Sequence, residues 1–258
     1  MRVVFLLVLL LLAACASSSS GQNKQDPGYQ PGEVAVEPTP FSAVHWKAVL
    51  VAGDDSIANF DNAVNTLDQI LAKQGISQRI SLSASKEEIA KGKDVALPSK
   101  IEQAFQNLNI HQGDGCFLFM TSHGSREGFY LSRKVGLNRI LSHRDFGEIF
   151  NKYCGSVPSI AIISACYSGG FIDENTMQPN RIILTAARRD RTSFGCGAEF
   201  EYTYYDDCLL RSWERSQSWE GLANLTIGCV RDKERAGNIT PSEPQIFLGR
   251  QMKGLRLP

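Results

Sequence analysis

The chain has 258 residues, with 27 Lys and Arg against 27 Asp and Glu, so its formal net charge is zero. That balance gives no support to nucleic-acid binding, and no internal repeat is evident. With 43% hydrophobic residues there is ample material for a core, and the length beyond the amino-terminal segment suits one domain.

The chain opens with Met1-Arg2, an apolar run from Val3 to Leu12, and then Leu12-Ala13-Ala14-Cys15. The run is too short for a membrane span of about 20 residues and has the shape of a secretory leader. The last four residues resemble a bacterial lipoprotein cleavage box. The expectation is a leader over 1–14, acylation of Cys15 and anchoring to a membrane, because each buried methylene of an acyl chain contributes ~0.8 kcal/mol. Ala16 is not the aspartate associated with inner-membrane retention, so the expected place is the outer membrane, facing the periplasm. Residues 15–45 are rich in Ser, Gly, Pro and Gln and read as a tether. The domain proper is expected over 46–258.

Within it, strand and helix alternate. Lys47–Ala52 reads as the first strand, ending at Gly53-Asp54-Asp55, and Phe60–Lys73 shows helical spacing through Ala63, Leu67, Ile70 and Leu71, with Gly75 as its stop. A polar stretch runs through Lys93, and a second helix spans Pro98–Leu108. The string Phe117-Leu118-Phe119-Met120-Thr121-Ser122-His123-Gly124 is a buried strand ending in an imidazole. Gly128–Leu131 is strand-like, and Ser142-His143-Arg144-Asp145 reads as the cap of a helix to about Tyr153. Ile160-Ala161-Ile162-Ile163-Ser164-Ala165-Cys166-Tyr167-Ser168-Gly169-Gly170 is a second buried strand, ending in a thiol. Arg181–Ala187 reads as a core strand, Asp206–Trp219 as mainly helix with Trp213 and Trp219 on the core, and Pro244–Gly249 as a final strand. The order predicts an α/β, doubly wound, mostly parallel sheet flanked by helices.

Neighbouring parallel strands deliver their carboxyl-terminal residues to one crevice. Cys166 and His123 therefore read as a nucleophile–base dyad: a thiol with an ordinary pKa of roughly 8.5 becomes a good nucleophile when an imidazole takes its proton. Gly124, Gly169 and Gly170 allow close approach of backbone, and the N–H groups of Gly124 and Cys166 are candidate oxyanion donors. His45, His111 and His143 read as solvated or structural, and no Cys/His spacing suggests zinc. No cofactor is expected.

Thr121-Ser122-His123-Gly124 and Ser164-Ala165-Cys166-Tyr167-Ser168-Gly169, with Leu184-Thr185-Ala186-Ala187 and Ser193-Phe194-Gly195-Cys196, resemble the legumain-like asparaginyl endopeptidases. Their wider group includes caspases, gingipains and the catalytic subunit of the GPI transamidase. The resemblance spans about Lys47 to Gly249. It implies a caspase–hemoglobinase-like fold, His123 as general base, Cys166 as nucleophile, and cleavage of protein or peptide substrates through a thioester. It also implies a histidine-supporting role for Asn59. The family's asparagine pocket is not matched: the corresponding positions hold Asp61, Ser164 and Tyr167, and an acid survives at Asp206 or Asp207. If Asp61 and Asp207 both face the pocket, a basic P1 side chain gains a charge-assisted hydrogen bond. The alternatives are a transpeptidase or transamidase built on the same residues, and a catalytically silent binding protein of the envelope.

With Cys15 and Cys166 assigned, five cysteines remain. A bridge among Cys196, Cys208 and Cys229 is expected, with Cys116 a buried thiol. Arg188-Arg189-Asp190-Arg191 reads either as a solvated loop or as a binder of substrate carboxylates. Oligomeric state has no signature in the sequence.

Overall fold

A computed structural model describes residues 44–131 and 139–257, all within the unit formed by residues 37–258. The expected leader, Cys15 and the tether up to residue 43 lie outside the described residues. Among those described, no helix is long and apolar enough to cross a membrane.

The domain opens with β1 (His45–Ala52), which starts two residues before the expected strand, and α1 (Asn59–Lys73). The polar stretch that follows is not a loop. It holds β2 (Gln78–Ser83), the short helix α2 (Lys86–Ala90) and β3 (Asp94–Val95). These elements were illegible because they form an edge of the sheet: β2 buries only its last two residues, so no apolar run marks it. Next come α3 (Pro98–Leu108), β4 (Asp114–Thr121), β5 (Gly124–Ser125), β6 (Gly128–Leu131), β7 (Arg139–Ser142), α4 (His143–Cys154) and β8 (Ser159–Ser164). A 3-10 turn over Ser168–Phe171 leads to β9 (Arg181–Thr185), and the chain closes with α5 (Tyr204–Trp213), α6 (Trp219–Ala236) and β10 (Gln245–Leu248).

The main sheet has the order β10-β9-β8-β4-β1-β2-β3, parallel throughout except for β10, which runs antiparallel to β9. A small antiparallel sheet, β5-β6-β7, stands apart. This is the α/β, mostly parallel architecture expected.

Side chains of the central strands alternate between two cores. Ala48, Leu50, Phe117, Phe119, Ile160 and Ile162 pack with α1, α5 and α6. Val49, Val51, Leu118, Met120, Ala161 and Ile163 pack with α3 and α4. Helices on both faces explain why β4 and β8 read as unbroken apolar runs.

The single helix expected over Asp206–Trp219 is two helices. Thr203 caps α5 by accepting from the Asp206 N–H, and Ser218 caps α6 by accepting from the Gly221 N–H, which starts a new helix where the first was expected to end. Trp213 and Trp219 are both buried and meet edge to face, as expected of core residues.

Two disulfides join Cys208 to Cys229 and Cys116 to Cys154. The first staples α5 to α6, within the set named from sequence. The second corrects the expectation that Cys116 is a thiol: β4 turns Cys116 toward the face covered by α4, whose last residue is Cys154.

Candidate active site

The site lies at the carboxyl-terminal edge of the sheet. Thr121 of β4 pairs in register with Ser164 of β8, and the Ser122 N–H donates to the Ser164 carbonyl at 3.1 Å. His123 and Cys166 each follow two residues later, so the register brings both reactive residues off the edge together. Gly124 seals this juncture. A Cβ there would stand 2.4 Å from the Cys166 carbonyl oxygen and 3.0 Å from Cβ of Ala165, so a side chain would push the Cys166 backbone away. Gly124→Ala is therefore expected to cut kcat/KM on the order of 100-fold, as a displacement of about 1 Å does. Kinetics beside a circular dichroism spectrum of the variant check this, and unchanged turnover would contradict the close packing.

The backbone amides fit the oxyanion assignment unevenly. The N–H groups of Tyr167, Gly169 and Gly170 are taken by the carbonyls of Arg191, Ala187 and Tyr167. The Tyr130 N–H donates to the His123 carbonyl, which makes Gly124 and Phe129 a non-hydrogen-bonded pair, so the Gly124 N–H turns away from β6.

Cys166 is partly exposed, and its described sulfur contacts are all with Ser193. The Ser193 N–H donates to Sγ at 3.3 Å, while the Ser193 carbonyl and hydroxyl oxygens lie 3.6 and 3.7 Å away. Tyr167, next to Cys166, adopts a left-handed φ of 59°, rare for a bulky residue. Its N–H bond to Arg191 at 2.7 Å and the Arg126 guanidinium 5.7 Å from its ring centroid hold it there. On the other side of the turn, His143 packs its ring against Gly170 and edge-on to Phe171, and burial pushes its pKa down, a structural role as expected.

The His123 ring lies edge-on to Phe60, with centroids 5.2 Å apart, and the Ser56 hydroxyl is 3.3 Å from its Nε2. Asn59, expected beside the imidazole, donates instead to the carbonyls of Gly195 and Gly197 at 3.3 and 3.2 Å. It anchors the loop that carries Cys196. Ser56 stands where support from Asn59 was expected, and sequence reasoning passed over it because a lone serine in a loop carries no pattern.

The expected pairing of Asp61 with Asp207 at one pocket is corrected. Asp61 faces the β2–β3 side of α1, ion-paired with Lys93 at 3.3 Å, and burial pushes its pKa up. Asp207 pairs with Arg211 and Lys233 at 2.7 and 2.9 Å along α5 and α6. The residue turned to the strand ends is its neighbour Asp206, fully buried. It accepts from the Thr121 hydroxyl at 2.7 Å and also from the Ser164 hydroxyl. Burial pushes its pKa up to about 6. Ser164 is thereby a partner of Asp206. Asp54, also fully buried, lies just past β1, and its Oδ1 accepts from the Ser56 N–H at 2.8 Å.

Cys196 is a second free thiol in this neighbourhood. Burial pushes it up to about 12, reinforced by the charges of Cys166, Asp206 and Asp54. The arginine run is tied down by acids of the chain itself: Arg188 pairs with Asp190 and Glu243, and Arg191 with Glu243. A cleft of about 640 Å³ lined by Val44, Trp46, Gln74 and Asp114 lies at the opposite end of β1 and β4 and plays no part in this site. Among the described residues no cluster of three or more His, Cys, Asp or Glu side chains is arranged to hold a metal.

The chain matches the profile of the peptidase C13 family over residues 108–230, which include His123 and Cys166. Two solved structures share the fold. Caspase-1 from Spodoptera frugiperda aligns with a TM-score of 0.59 at 12% identity, over 83% of this chain and 89% of that one. A protein from Geobacter sulfurreducens aligns with a TM-score of 0.54 at 12% identity, over 78% and 92%. A search of curated proteins gave no significant match. Over residues 108–230 the chain is thus similar to the peptidase C13 (legumain) family, and its fold is caspase-like.

Proposed function

We propose that the protein is a lipid-anchored cysteine endopeptidase of a bacterial envelope, using Cys166 as nucleophile and His123 as general base. The observation that carries the reading is the register of β4 on β8, which brings the two residues off one sheet edge with Gly124 packed on the Cys166 carbonyl. His123 removes the thiol proton as Cys166 Sγ attacks the scissile carbonyl. The N–H groups of Gly124 and Cys166 receive the developing oxyanion, and His123 returns the proton to the departing amine. Water, activated by the same imidazole, then hydrolyses the thioester. The two disulfides favour an oxidising compartment, consistent with export and acylation at Cys15.

The two free thiols make a direct test. Iodoacetamide at neutral pH is expected to modify Cys166 and spare Cys196, whose partly buried thiol has its pKa pushed up and is held protonated. Peptide mapping reads the sites, and equal labelling would contradict the assignment. Cleavage of a peptide panel, with product analysis in added glycine amide, separates hydrolysis from aminolysis: the free acid is the expected product, and predominant amide would make the protein a transpeptidase. Incorporation of labelled palmitate, lost in Cys15→Ser, tests the anchor.

A further inference from the structure

We propose that Asp54 and Asp206 form the floor of the pocket for the residue preceding the scissile bond, and that this residue is arginine or lysine. The inference rests on the peptidase reading and deepens it.

Both carboxylates are fully buried, and each keeps one oxygen, Oδ2 of Asp54 and Oδ1 of Asp206, without a hydrogen-bond partner. No basic side chain pairs with either among the described residues, although Asp61, Asp207, Asp190 and Glu243 each have a cation. Burying two carboxylates without a counter-charge is costly, and folded proteins retain such groups where a ligand supplies the missing partner.

Their place points to the ligand. Asp54 follows Ala52, which pairs in register with Thr121, and the Thr121 hydroxyl is bonded to Asp206. The two acids therefore flank the strand end that reaches His123 two residues later. Ser56, whose N–H binds Asp54, touches His123 through its hydroxyl. Cys196 senses the charges of Asp54, Asp206 and Cys166 together, which puts all of them in one neighbourhood. A guanidinium offers five N–H donors and an ammonium three, enough to satisfy both orphan oxygens while neutralising the charge. An asparagine amide would leave the charge uncompensated, and an aspartate would add to it.

The test uses the full chain with fluorogenic peptides carrying Arg, Lys, Asn or Asp at P1. Cleavage after Arg or Lys is expected to exceed cleavage after Asn on the order of 100-fold in kcat/KM, and Asp54→Asn to lower the basic substrates by a similar factor. Asp206→Asn is expected to act likewise. Because its burial beside Thr121 puts folding at risk, a second readout uses Asp54→Asn alone: benzamidine should protect Cys166 from iodoacetamide in the parent chain and not in this variant. Cys166-dependent cleavage after Asn or Asp, indifferent to Asp54→Asn, would overturn the pocket and leave the peptidase reading standing. Absence of any Cys166-dependent cleavage would overturn both.

Discussion

Cys166→Ala is expected to abolish peptide cleavage, lowering kcat/KM by a factor of ~10⁵ or more, and His123→Ala to do nearly the same. The two act as a unit, so the double variant should be no worse than Cys166→Ala alone. Neither substitution threatens the fold. Cys166 is partly exposed and contacts only the Ser193 loop through sulfur, while the His123 backbone bond to Tyr130 does not depend on its ring. Unchanged circular dichroism with lost turnover would place the effect in the chemistry. Retained turnover in Cys166→Ala would remove the nucleophile from the account. A smaller step is expected for Ser56→Ala, about 10-fold, because its hydroxyl positions the imidazole through Nε2.

The second large effect is on stability. The Cys116–Cys154 bridge closes a separation of 38 residues and Cys208–Cys229 one of 21. By loop-closure entropy, such bridges contribute about 4 and about 3 kcal/mol. A domain of this size is stable by roughly 5–15 kcal/mol, so losing both bridges would remove a large share of its stability. Paired substitution to alanine is the appropriate form, since a buried serine would strand a hydroxyl. Urea denaturation of Cys116→Ala/Cys154→Ala should show the larger drop in midpoint. Reductant should shift the parent chain toward a chain with all four of these cysteines replaced by alanine, and leave that four-alanine chain unmoved. A parent chain whose midpoint ignores reductant would contradict the bridges.

The sequence was most legible where the sheet is buried on both faces. β4 and β8 are unbroken apolar runs because helices cover them on each side, and the reactive side chains stand just past their ends, where turn glycines punctuate the pattern. The edge of the sheet was not legible. β2 and β3 are short and half-exposed, so their composition is that of a polar connection. Within the site, neighbours along the chain were readable and neighbours across it were not. Ser56 and Ser193 act on the dyad from loops that no periodicity marks, and Cys154 reaches Cys116 only through the docking of α4. The sequence named Asp206 or Asp207 without separating them; a helix turns each successive side chain by about 100°, so Asp206 faces the strand ends while Asp207 faces Arg211 and Lys233.

The most direct test of the central claim is to treat the folded full chain with peptidyl acyloxymethyl ketones varied at P1 and to locate the adduct by mass spectrometry. One adduct per chain on Cys166, formed fastest with a basic P1 and lost in His123→Ala, is the predicted result. No adduct on a folded chain, or an adduct on Cys196 in place of Cys166, would contradict it.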